Sequence, residues 1–102
     1  MAIKIPKSFT LYSHEIKVKI NNNRMNDRNN WGLSELDRNN IILSTLNSDK
    51  TEIPKSIQLH TFYHEKVHHI FNALHEKDLC NNEKLVDNFA NLLLQSDLTS
   101  KY

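Results

Sequence analysis

The chain has 102 residues, 38% of them hydrophobic and 25% charged, with a formal net charge of +1. That length suits a single small domain spanning 1–102, and so small a net charge leaves no electrostatic footprint for nucleic acid or an anionic membrane surface. No apolar run approaches a membrane span, residues 1–11 lack the apolar core of a signal peptide, and the single cysteine, Cys80, excludes an internal disulfide and fits a reducing, cytoplasmic setting.

The first half reads as strands. Phe9 and Leu11 alternate with polar residues, and Ile16, Val18 and Ile20 alternate with Lys17 and Lys19, the period of half-buried strands. The two sets are out of phase, so a turn or bulge is expected around Ser13-His14. Residues 21–30 are polar and read as a loop. Residues 31–36 follow as a third strand, with Trp31 in the core and Gly32, the only glycine, where the backbone needs freedom. Asp37-Arg38-Asn39-Asn40 is a turn sequence, and Ile41-Ile42-Leu43 a short buried strand. Together these predict an antiparallel meander.

The second half reads as two helices. Pro54 suits a first helical turn, and Ile57, Phe62, Val67, Ile70, Phe71 and Leu74 recur at helical spacing. Residues 78–82 break the pattern, and Asn81 or Asn82 caps a second helix. That helix carries Val86, Phe89, Ala90 and Leu93 on one stripe, with Leu85 and Leu92 beside it. The predicted class is α+β: a small antiparallel sheet of three to four strands followed by two packed helices.

On the first helix the segment His64-Glu65-Lys66-Val67-His68 reads H-E-x-x-H. Histidines four apart share one helix face, so both imidazoles reach one metal ion. The glutamate beside the first is then placed to polarise a water on that metal. A catalytic zinc site commonly takes three protein ligands and leaves one position open. Glu83, at the start of the second helix after a short turn, is the best third ligand. Asp87, one turn later on the same face, suits a hydrogen bond to the ring N–H of a ligating histidine. Acidic residues are also favoured in a helix's first turn without any metal. His60 extends the histidine stripe as a solvated residue or substitute ligand, Tyr63 is a packing residue, and Cys80 fills the turn.

The pairing of His64-Glu65-Lys66-Val67-His68 with Asn82-Glu83-Lys84-Leu85-Val86-Asp87 resembles the gluzincin pattern of metallopeptidases. More narrowly, the chain resembles the minimal zincin-like proteins of bacteriophages and prophages, with Trp31-Gly32-Leu33 and Asn40-Ile41-Ile42-Leu43 matching the strands before the helix more loosely. The resemblance implies a zincin-like domain in which His64, His68 and Glu83 bind Zn2+, Glu65 is the general base and Asp87 the outer partner. It implies hydrolysis of a protein or peptide substrate, in the host cytoplasm if the chain is phage-encoded. The exposed edge of the last strand, residues 40–44, is expected to hold an extended peptide by strand addition. A catalytically inactive zinc-binding module that docks or regulates another protein is the alternative. The metzincin pattern is excluded, because Phe71 and Leu74 stand where a glycine and a third histidine are required.

Overall fold

The computed structural model describes residues 3–28 and 31–102. The alternating segments form β1 (Ser8–Leu11) and β2 (His14–Ile20), paired antiparallel with Leu11 opposite His14. The turn between them is Tyr12-Ser13, with Tyr12 in the left-handed region at φ 55°. This turn reconciles the two out-of-phase apolar sets. After β3 (Gly32–Glu35) a single 3-10 turn at Leu36–Arg38 and a left-handed Asn39, φ 55°, lead into β4 (Asn40–Leu43).

The sheet order is β1-β2-β4-β3. β4 runs antiparallel to β3 but parallel to β2, with Val18 opposite Ile41. The class is α+β as expected, but the sheet is mixed rather than an antiparallel meander. A parallel pair needs a crossover, not a hairpin, and the predicted loop over 21–30 supplies part of it as a helix, α1 (Asn22–Arg28). Residues 29 and 30 of that loop lie outside the described residues. Asn21 starts α1 by accepting the Arg24 amide at 3.1 Å. Asn22 then ties the helix to the end of β4, accepting from the Thr45 amide at 2.7 Å and the Ser44 hydroxyl at 3.0 Å. A run of asparagines thus forms a helix because its side chains bond backbone and its one large apolar residue, Met25, is fully buried.

This order makes β4 an inner strand. Its edge is not free, so the peptide-holding edge expected at residues 40–44 is corrected: the free edges belong to β1 and β3. Ile41 and Leu43 belong to the main core, while Ile42, on the opposite face by alternation, is buried as well, as are Met25 and Ile53. A strand covered on both faces reads as an unbroken apolar run, which is what Ile41-Ile42-Leu43 is.

Pro54 stands at the N-cap position, and α2 runs Lys55–Ala73. The sheet lies against one side of α2 and α4 (Glu83–Thr99) against another. Residues buried along it therefore spread beyond one apolar stripe to Phe62, Tyr63, Val67 and Phe71 with Gln58, Glu65 and His69. A short α3 (Lys77–Cys80) turns the chain. Asn82 caps α4 by accepting the Leu85 amide at 3.1 Å, a contact typically contributing about 1 kcal/mol. α4 buries Val86, Ala90 and Leu94 at four-residue spacing. Phe89, expected on that stripe, is half-exposed and meets Phe71 edge-on at 5.5 Å between ring centroids. Trp31, expected in the core, is 48% exposed, and its indole N–H donates to Asn47 at 3.2 Å. Among the described residues, no helix is long and apolar enough to cross a membrane.

His69 is a structural histidine. It is buried, and its Nε2 donates to the Asn40 carbonyl at 2.9 Å, joining α2 to β4. Burial holds its pKa below the ordinary imidazole value, with the nearby His68 acting in the same direction and the Asn40 bond opposing. The unfolded chain therefore binds this proton first as pH falls, so the stability that neutral His69 contributes is complete above about 6.5 and declines below it. Denaturant unfolding of the metal-free protein should lose more stability between pH 7 and 5 than the His69→Gln variant does. Equal losses would remove this assignment.

Candidate metal centre

The register of two packed helices builds the site. His64 and His68 lie one turn apart on α2, and α4 crosses them at its first residue, Glu83. His64 Nε2 lies 3.1 Å from Glu83 Oε2, and His68 Nε2 lies 3.1 Å from Glu83 Oε1. The three side chains each bring one ligand atom into a group whose members are within 4.8 Å of one another. The two short separations run to different oxygens of one carboxylate, and the three side chains together form a group that could hold a metal ion. In the metal-free chain the same carboxylate can accept a hydrogen bond from each ring.

The far side of each ring is also engaged. His64 Nδ1 stands 3.3 Å from Asp87 Oδ1, one turn beyond Glu83. His68 Nδ1 lies 3.6 Å from the sulfur of Cys80, whose thiol is 3.4 Å from the His68 carbonyl and donates to it. Burial, and then the Glu83 carboxylate, push the Cys80 thiol up, which keeps it protonated as a donor. Cys80 is thus more than filler: it contacts the ring nitrogen turned away from Glu83.

Glu65 points to the sheet side of the same cleft. Its carboxylate is buried, and Oε1 accepts the Ser34 hydroxyl at 2.9 Å. Burial is the main cause that raises its pKa; the Ser34 bond and the two histidines oppose, and Glu83 adds to the rise. β3 comes this close because residue 32 has no side chain. A Cβ on Gly32 would lie 2.6 Å from Thr61 Cγ2 and 3.3 Å from both Cγ and Oε2 of Glu65. Gly32 is needed for close approach rather than for backbone freedom, since its φ is not positive. Thr61 cannot easily yield, because its hydroxyl donates to the Ile57 carbonyl at 2.8 Å. Gly32→Ala should therefore push β3 from α2 and destabilise the protein by about 1–3 kcal/mol, read as a lower denaturant midpoint. An unchanged midpoint would show that β3 is not packed against the helix at this distance.

The resulting cavity, about 560 Å3, is walled by Gly32 and Ser34 on one side and by His64, Glu65, His68 and Glu83 on the other. The other histidines fall outside this group. His60 Nε2 contacts the Asn91 side chain on α4 and lies 4.0 Å from Asp87. Tyr63 is buried and donates its hydroxyl to Asp97 at 2.5 Å, away from the cleft. Ser34 and the Cys80–His68 contact were not singled out from the sequence. The available signal for Ser34 was small residues two apart on one strand, Gly32 and Ser34, which must share a face.

No protein-family model matches the chain, and no curated protein or solved structure matches it either.

Proposed function

We propose that the chain is a minimal zinc-dependent peptide hydrolase, with His64, His68 and Glu83 as the metal ligands and Glu65 as general base. The observation that supports this most is the meeting of both Nε2 atoms at one carboxylate, 3.1 Å from each of its oxygens, with a second, buried carboxylate in the same cleft. The resemblance to gluzincins, and to the zincin-like proteins of phages and prophages, points the same way. Bound zinc supplies Lewis acidity, polarising a carbonyl and acidifying water.

The chain's own residues account for the remaining steps. Asp87 orients His64 through Nδ1, and Cys80 contacts His68 at the equivalent atom. Ser34 fixes the Glu65 carboxylate through Oε1, leaving Oε2 to take a proton from the attacking water and return it to the leaving amine. The free edge of β3 borders the cavity, and there an extended substrate backbone adds as a further strand. The setting we assign is the reducing cytoplasm, on the support of a single free, buried cysteine.

One observation favours the alternative of an inactive zinc-binding module: among the described residues, no arginine, lysine or tyrosine lines the cleft to hold an oxyanion. Profiling the purified protein on a broad peptide mixture separates the two. A hydrolase yields cleavages that vanish with a chelator and return with zinc. A binder retains zinc and yields none.

A further inference from the structure

A second concavity lies away from the histidines. A cavity of about 580 Å3 opens at the other end of the helix pair, between residues 3–7, the end of β2, the start of α2 and Leu98 near the end of α4. That volume falls within the roughly 300–1,000 Å3 of small-molecule sites. Its walls are mainly aliphatic, from Ile5, Val18 and Leu59, and two large apolar side chains on it, Ile20 and Leu98, are 54% and 51% exposed. Four separate segments line it, and it opens broadly to solvent.

Its charged groups are of one sign. Lys4, Lys7 and Lys55 line it and no carboxylate does, in a chain whose 13 lysines and arginines as a whole are nearly matched by 12 acids. Glu52 lies 3.7 Å from Lys55, while Lys4 and Lys7 have no acidic partner among the described residues. The start of α2 adds to this field. Lys55 and Ser56 are its first two residues and both line the recess. The N-cap is Pro54, which offers no capping side chain, and the first turn carries no acidic residue. No acidic residue within the first turn offsets the helix dipole where the lysines gather, and Glu52, before the helix, pairs with Lys55.

We propose that this recess binds a free anionic amphiphile: an unbranched aliphatic chain against Val18, Ile20, Leu59 and Leu98, ending in a carboxylate held by Lys4, Lys7 and the first turn of α2. The site is separate from the histidine cluster and does not depend on the reading given to that cluster.

Titration calorimetry with sodium dodecanoate below its micelle concentration, at pH 8, tests this on the full chain. Saturable one-to-one binding is expected, at least tenfold tighter than for dodecyltrimethylammonium, which shares the tail and reverses the head. Lys4→Glu with Lys7→Glu should weaken dodecanoate at least tenfold. Leu98→Glu, at a half-exposed position, should do the same. In the unaltered protein, methyl NMR shifts should change at Val18, Ile20 and Leu59 and not at Val67 or Val86. Absence of saturable binding, equal affinity for both head groups, or shifts centred away from these methyls would overturn the proposal.

Discussion

Replacing Glu65 with glutamine is expected to lower peptide hydrolysis by about 10²–10⁴-fold, the usual contribution of a positioned acid–base group, while zinc content stays at the parental level. The substitution is nearly isosteric. The amide oxygen can still accept the Ser34 hydroxyl that now bonds Oε1 at 2.9 Å. Glu65 is not one of the three groups proposed to hold the metal, so that set is untouched. Stability should not fall either. Burial raises the Glu65 pKa, so the folded metal-free protein holds this proton to higher pH than the unfolded chain does. That contribution is complete in acid and is lost as pH rises through the raised value, leaving an unfavourable buried charge that an amide avoids. A variant with parental turnover would remove Glu65 as general base. A variant that also lost zinc would show that Glu65 belongs to the ligand set.

The second large effect is expected for Glu83→Ala. Glu83 is the contributor from α4 to the proposed ligand group, and its side chain is 68% exposed, so deleting it disturbs little packing. Losing an outer partner of a metal site typically lowers affinity by about 10–100-fold, and losing a direct ligand should exceed that. With zinc in excess, a 100-fold weaker site forfeits about 2.7 kcal/mol of ligand-linked stability. In a domain of this size that is roughly 10–20 °C less zinc-induced rise in Tm. Asp87→Ala, which removes the contact to His64 Nδ1 and the longer one to His60, should give a smaller loss of affinity. Elemental analysis and thermal melts with and without zinc read both variants. Equal zinc affinity in Glu83→Ala and the parent would exclude Glu83 as a ligand.

The candidate site was more legible in the sequence than the sheet was. Four-residue spacing on a helix brings His64 and His68 to one face whatever surrounds them, and the cap at Asn82 fixes where α4 begins and hence that Glu83 opens it. A short turn between two helices then leaves few ways to pack them other than side by side. The sheet is governed by longer-range terms. Alternation in β1 and β2 reports which residues face inward, but not which strand lies beside which, and Ile41-Ile42-Leu43 is compatible with an edge or a centre until its second face is covered. Met25 contributed to that cover from a segment whose asparagines signal loop by propensity and become helix through bonds to residues about 20 positions away, Ser44 and Thr45. Trp31 shows the same limit: a large aromatic residue beside a strand is a reasonable core candidate, and only its partner Asn47 shows that it sits at the rim.

What the sequence determined by itself is local: the alternating strands, two long helices, the second with its cap at Asn82, and a pair of histidines on one helical face, because each follows from spacing over a few residues. Tertiary structure decided the parallel pairing of β2 with β4, the burial of Glu65 against Ser34, the close approach that requires Gly32, and the basic-rimmed recess at the start of α2. Each of these depends on which surfaces meet across the chain, where covering apolar area and satisfying buried polar groups outweigh the preference of any single segment.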